Sequence, residues 1–171
     1  MLGIDIVDLK DPLLSNRTDR TLELIKSPED VLIEHPHLFW ILWSAKEAIF
    51  KCRREPINFA PSKIPVEIRK EGDQITFVSN ELKGKTLIET DYVISLCGDI
   101  EEIAFNVFDR QGEDWSNGIR DMIIDYFKEK GRHYTVGSDD LNLPILLPSK
   151  SLISVSHHCR FGAVAFPKKL L

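Results

Sequence analysis

The sequence predicts an α+β fold built mainly from antiparallel strands, and three observations carry that prediction. Short runs of strand-forming residues separated by turn residues recur from position 65 to 108, the pattern of hairpin-connected strands. One stretch, 38–51, is apolar almost all round a helical wheel, so it reads as a long buried helix against which the antiparallel sheet packs. A second stretch of helical period, 117–130, lies beyond the strands.

The chain has 171 residues, 43% of them hydrophobic and 29% charged, enough apolar material for a real core. One domain over residues 1–171 is expected, or two small ones at most. A net charge of −5 and a pI near 5.6 argue against a general nucleic-acid binder, which needs a basic surface. Cys52, Cys97 and Cys159 lie far apart with no CxxC pair, so free thiols in a reducing compartment are expected. The first residues run straight into Asp5 and Asp8, without the basic and apolar regions of a leader peptide. No apolar run reaches the roughly 18 residues of a membrane span, so no membrane partner is expected and the expected address is the cytoplasm.

Residues 2–7 read as the first strand, with Leu2, Ile4 and Ile6 on one face and Gly3, Asp5 and Val7 on the other. Pro12 and Asn16 mark 10–16 as a loop, and 17–25 follows as a helix. Ser27-Pro28-Glu29-Asp30 has the order of an N-cap, a first-turn proline and acids at the positive helix end, which predicts a helix over 28–34. The apolar helix covers 37–53, and two prolines make 55–61 a loop. A hairpin turns at Glu71-Gly72-Asp73 between strands 65–69 and 74–79, and strands 82–89, 92–97 and 101–108 continue the pattern. Residues 110–117 break it. Ile119, Met122, Ile123, Tyr126 and Phe127 recur at helical spacing and predict an amphipathic helix over 117–130. A polar loop over 131–143 and strands at 151–156 and 162–166 complete the chain.

Within the apolar helix only Ser44, Lys46, Glu47 and Lys51 are polar, and Ser44, Glu47 and Lys51 fall on one stripe at spacings of three and four. A charge in or beside a core is costly unless it is paired or bound. The stripe reads either as a Glu47–Lys51 pair on a solvated edge or as one side of a site. Asp5 offers a partner, since it stands in an otherwise apolar strand. A strand Asp and a helix Glu suit magnesium, which is held by one or two carboxylates plus substrate phosphates, and Lys51 would add a point charge for those phosphates. The alternative is that Asp5 caps a turn with Asp8. Towards the C-terminus, Ser154-Val155-Ser156-His157-His158-Cys159-Arg160 reads as a polar strand end or as an anion pocket of serine hydroxyls, His157 and Arg160. Zinc held by the His pair, Cys159 and Cys97 lacks the usual ligand spacing.

Three segments together resemble the 4′-phosphopantetheinyl transferase superfamily: Gly3-Ile4-Asp5-Ile6-Val7-Asp8, Trp43-Ser44-Ala45-Lys46-Glu47-Ala48-Ile49-Phe50-Lys51 and Ser154-Val155-Ser156-His157-His158. They match a G-I-D strand, a W-x-x-K-E-A-x-x-K helix and an S-x-S-H strand. The resemblance implies the fold of that family and transfer of the phosphopantetheine arm of coenzyme A to a serine of an acyl or peptidyl carrier protein, with release of adenosine 3′,5′-bisphosphate. It implies that Asp5 and Glu47 bind Mg²⁺ with the pyrophosphate and that Glu47 helps deprotonate the carrier serine, directly or through a water. Lys51 holds the phosphates and assists the leaving group, while His157 contacts the 3′-phosphate side of coenzyme A with Ser156 close by.

The S-x-S-H segment lies at the C-terminus, as in the short single-repeat synthases of this family, which form trimers with sites between protomers. A homo-oligomer, a trimer, is therefore expected, with the extra length of this chain inserted around 109–143. The sequence departs from the family pattern in three places. Val7 stands where some members carry a third carboxylate, Arg53-Arg54-Glu55-Pro56 replaces a glycine-rich turn, and Leu143-Pro144 is what remains of a G-K/R-P element. These departures keep a second hypothesis open, a homologue that binds a carrier protein or coenzyme A without transfer. Under the first hypothesis Lys51, Arg53 and Arg54, extended by Lys10, Arg17 and Arg20, form a basic surface for an acidic carrier; otherwise they are ordinary solvated charges.

Overall fold

Every residue of the first strand, β1 (Leu2–Asp8), is buried, and the architecture follows from what covers it. The computed structural model describes residues 1–12, 19–55, 58–110 and 118–171. Strands β2 (Glu67–Glu71), β3 (Gln74–Ser79), β4 (Leu82–Ile88) and β5 (Tyr92–Gly98) join β1 in an antiparallel sheet of order β1-β5-β4-β3-β2. The β2–β3 hairpin turns at Gly72, whose φ of 61° suits a residue without a Cβ. A short helix α1 (Asp19–Ile25) precedes α2 (Leu38–Arg53), which lies across this sheet, and no residue of α2 is exposed. Ile41, Leu42, Ala45, Ala48 and Ile49 form a core there with Ile68, Phe77 and Val93.

The opposite face of β1 and β5 meets a second antiparallel sheet. Its strands are β6 (Ile103–Asp109), β10 (Ser154–His158) and β11 (Phe161–Pro167), in the order β10-β11-β6. Leu2, Ile4 and Ile6 pack with Ile94 and Leu96 against Phe161, Ala163 and Ala165. A third core forms where α3 (Gly118–Glu129) buries Ile119, Ile123 and Phe127, one stripe at four-residue spacing, against Leu146, Val164 and Phe166. Strands β7 (Thr135–Ser138), β8 (Pro144–Leu147) and β9 (Ser151–Leu152) make a small sheet beside it. The fold is thus α+β with antiparallel ladders and few helices. No helix among the described residues is long and apolar enough to cross a membrane.

The elements expected at 2–7, 37–53, 74–79, 82–89, 92–97 and 117–130 stand within two residues of where the sequence puts them. The expected helix at 28–34 does not form. Asp30, read as a first-turn acid, instead accepts the amides of Ser27 and Val66, both at 2.8 Å, and the Lys46 ammonium at 2.6 Å. Val31 then bridges in parallel to Glu67. The 131–143 loop carries β7. Asn16 and Arg17, Pro56 and the break at 111–117 lie outside the described residues.

Candidate active site

Glycine at position 3 sets how closely β1 and α2 approach. A Cβ there would stand 2.0 Å from the Ala48 carbonyl oxygen and 2.7 Å from the Cys52 nitrogen, so the helix backbone occupies the space of a side chain. Asp5, two residues on, points to the same face and meets the polar stripe of α2. Ser44 Oγ donates to the Asp5 carbonyl at 3.3 Å. Two turns further along α2, Lys51 Nζ donates to Asp5 Oδ1 at 3.1 Å and pairs with Glu47 Oε1 at 3.0 Å. Asp5 and Glu47, from two different elements, therefore share one ammonium ion.

The free edge of β1 is closed by side chains instead of a ladder. The amides of Ile4, Ile6 and Asp8 donate to Ser154 Oγ at 3.1 Å, Ser156 Oγ at 3.4 Å and His158 Nδ1 at 3.1 Å. These three alternate residues of β10 satisfy donors that would otherwise be buried unpaired. Ser156 Oγ also donates to Asp5 Oδ1 at 2.7 Å, which joins β10 to the carboxylate cluster.

Asp5 is 3% exposed, and burial raises its carboxyl from 3.8 to about 6; Lys51 opposes this rise and the nearby Glu47 charge adds to it. Burial pulls the Lys51 ammonium down, but Asp5 and Glu47 outweigh it and hold the group above the ordinary lysine value. Lys51 is thus a fixed positive charge. The Glu47 side chain is 26% exposed and reaches solvent.

Other sequence candidates fall elsewhere. Lys46, adjacent to Glu47, is fully buried and donates to Asp30 and to the carbonyls of Ile25 and Pro61, so it braces the fold. Asp8, not Asp5, caps the turn, accepting the Lys10 amide at 2.9 Å. His157 is exposed on the side of β10 away from β1, and it lines a cavity with Ser138 and Asn142 that does not include Asp5. The anion pocket of serines, His157 and Arg160 is not assembled: the serines face β1, and Arg160 pairs with Asp91 and lies near Asp8 and Asp109. Most of the expected basic surface is tied up, since Lys10 pairs with Asp91, Arg53 donates to Ser79 and Arg54 to Asp139, whereas Arg20 is exposed on α1. Arg17 lies outside the described residues.

Cys97 is buried in β5, away from the His pair, and all three cysteines are free. A different trio, Asp11, His158 and Cys159, brings ligand-type atoms within 4.8 Å of one another. The Asp8 amide occupies His158 Nδ1, which keeps the neutral ring's proton on Nε2, 3.6 Å from Asp11 Oδ2, where a metal would have to bind. Sequence reasoning missed Asp30 as the partner of Lys46. It also missed His158 as an acceptor, although its period-two relation to Ser154 and Ser156 placed all three on one face.

The donor set at Asp5 fits a hard divalent cation. Asp5 Oδ2 is buried and accepts no hydrogen bond among the described residues, and the Glu47 carboxylate lies across the same ammonium. A family model described as 4′-phosphopantetheinyl transferase superfamily matches residues 1–97, which carry Asp5, Glu47 and Lys51. No curated protein and no solved structure shows significant similarity to the chain.

Proposed function

The chain belongs to the 4′-phosphopantetheinyl transferase superfamily, and on that premise we propose that it is a synthase of the holo-acyl-carrier-protein type. It transfers the phosphopantetheine arm of coenzyme A to a serine of an apo acyl or peptidyl carrier protein and releases adenosine 3′,5′-bisphosphate. The observation that carries this reading is the meeting of Asp5 and Glu47 on the Lys51 ammonium, where β1, α2 and β10 converge.

Asp5 and Glu47 would hold Mg²⁺, which supplies positive charge at the pyrophosphate. Lys51, kept protonated by its two carboxylates, would stabilise charge gathering on the departing phosphate. Glu47, partly open to solvent, takes the proton of the carrier serine directly or through one water. The serine oxygen then bonds to the phosphorus that carries the pantetheine arm, and the bond from that phosphorus to the adenosine phosphate oxygen breaks. Ser156 and the Asp5 backbone contact from Ser44 keep the Asp5 carboxylate in place. His157 contacts the 3′-phosphate side of coenzyme A. We read residues 1–171 as one transferase domain with an insertion around 109–143 that assembles as a homotrimer.

A second reading is a homologue that binds coenzyme A or a carrier without transfer. It is favoured by Lys51 itself, whose ammonium stands between the two carboxylates and neutralises charge that a cation needs. One experiment separates the two. The protein is incubated with apo carrier protein, coenzyme A and Mg²⁺, and the carrier mass is followed. A mass gain of one phosphopantetheine, lost in Glu47→Ala and Asp5→Ala, supports transfer. Coenzyme A binding with an unchanged carrier mass overturns it.

A further inference from the structure

Two of the three cysteines meet, although their elements are remote in sequence. Cys52 stands in the last turn of α2 and Cys97 in β5, and both are fully buried in the core between that helix and the larger sheet. Gly3 brings them together. Cys97 is its cross-strand partner, and directly opposed residues of an antiparallel pair share a face, so the Cys97 side chain points towards α2. A Cβ on Gly3 would lie 3.0 Å from the Cys52 Cβ, so the absent side chain leaves room for the two thiols to be neighbours. The Cys97 thiol donates a hydrogen bond to the Cys52 sulfur.

A single buried cysteine behaves as a small apolar side chain. Two sulfurs in contact, on side chains that face each other from different elements, have the proximity that a disulfide requires. The hydrogen bond from Cys97 holds the Cys52 thiol below its ordinary value against burial, so Cys52 loses its proton first. The same bond and burial push Cys97 up. Cys159 is the poorer nucleophile. It is exposed in the β10–β11 turn, yet desolvation of its sulfur and the neighbouring Asp11 push its thiol up to about 11.

We propose that Cys52 and Cys97 form an oxidisable pair, a modification site at which hydrogen peroxide closes a disulfide between α2 and β5. The Cys52 thiolate attacks one peroxide oxygen and the O–O bond breaks. Hydroxide leaves, recovers the proton that Cys52 gave up and becomes water, with a sulfenic acid left on Cys52. The Cys97 sulfur then attacks the Cys52 sulfur. The S–O bond breaks as the S–S bond forms, and the departing hydroxide takes the Cys97 proton as a second water. The two thiols lose two electrons in all, and one peroxide is reduced to two waters. Burial restricts the site to a small oxidant, and helix ends open before helix centres, which gives it a route to Cys52. Because Cys52 follows Lys51 directly, the link fixes the turn that presents this ammonium to Asp5 and Glu47. The inference does not depend on the transferase reading.

The full chain, first reduced and then exposed to hydrogen peroxide, tests it. Thiols counted in denaturant should fall from three to one, and the intact mass should fall by two hydrogens. Peptide mapping without reductant should find Cys52 joined to Cys97, and dithiothreitol should restore all three thiols. The oxidised chain should melt about 5–15 °C above the reduced one, because the link restricts the unfolded chain. Cys159→Ser removes an exposed thiol and should leave the link, the loss of two hydrogens and the melting shift unchanged. Cys52→Ala should abolish all three; where it does not fold, Cys159→Ser decides alone. Three thiols still present after peroxide, a link that includes Cys159 or a second chain, oxygen added to Cys52 or Cys97 without a link, or an oxidised chain that melts no higher than the reduced one overturns the inference. None of these outcomes bears on carrier modification.

Discussion

Asp5→Asn separates what a buried carboxylate costs the fold from what it does in the site. Asparagine keeps the shape and an acceptor for Ser156 and Lys51 but never ionises. Burial, opposed by Lys51 and reinforced by Glu47, lifts the Asp5 carboxyl from 3.8 to about 6. At 1.36 kcal/mol per pH unit, the folded chain disfavours the ionised form by about 3 kcal/mol. Stability falls with rising pH wherever the folded state holds more protons than the unfolded one. Below about pH 4 both states keep the Asp5 proton and the full stability is present. Between about pH 4 and pH 6 the unfolded chain releases it first, so the wild type loses about 3 kcal/mol that Asp5→Asn retains. Above that range the difference is constant. Urea unfolding followed by tryptophan fluorescence across this range measures it. The attraction of Lys51 arises only as Asp5 ionises and is already contained in the value of about 6, so the informative quantity is how the difference between variant and wild type changes with pH. The variant should gain on the wild type as pH rises, lose carrier modification, and lack the Mg²⁺ stabilisation expected of the wild type under the transferase reading. A difference that stays flat or shrinks between about pH 4 and pH 7 refutes the account of Asp5 as a charge held against its own burial.

Gly3→Ala drives a methyl group into the α2 backbone, and urea unfolding should register a loss of about 3 kcal/mol or more, since backbone on both sides cannot yield. Lys46→Ala leaves the Asp30 carboxylate buried with only two amides, and the expected loss is about 3–5 kcal/mol by the same measurement. Glu47→Gln should abolish carrier modification in the mass assay while melting close to the wild type, because its side chain is partly exposed. Sedimentation equilibrium should give three times the 19.6 kDa chain mass, and a monomer mass removes the trimer from the reading.

The parts of the fold legible in the sequence are those where one physical requirement dominates a whole element. Strand β1 alternates Leu2, Ile4 and Ile6 against Gly3, Asp5 and Val7 because its two faces meet different layers. The stripe Ser44, Glu47, Lys51 is visible because Lys46 is the one other polar residue between positions 38 and 51, and the stripe lies against Asp5. The parts that were not legible depend on single long-range contacts. Ser27-Pro28-Glu29-Asp30 satisfies the local rules for a helix start, but Asp30 gains more by neutralising Lys46 in the core than by capping a turn in water. Local sequence leaves Arg160 open between a polar strand end and an anion pocket, because nothing local reveals that Asp91 and Asp109, remote in sequence, converge on it.

The same contacts explain why the candidate site stands at this junction. A carboxylate in the middle of a fully buried strand is unfavourable for folding, and a chain selected for stability alone would place an apolar residue beside Gly3 and Val7. Each neighbour of Asp5 compensates only in part. Lys51 neutralises it but is shared with Glu47, Ser156 fills one lone pair of Oδ1, and Oδ2 is left without a donor. A purely structural pair would close that last valence, as Lys46 and Asp30 do: their atoms are fully enclosed, Asp30 accepts from three groups and Lys46 donates to three. The two buried ion pairs of α2 are therefore not equivalent. One is satisfied and braces the fold. The other leaves Asp5 Oδ2 without a donor among the described residues, and that is the acceptor the proposed cation would use together with the partly solvated Glu47.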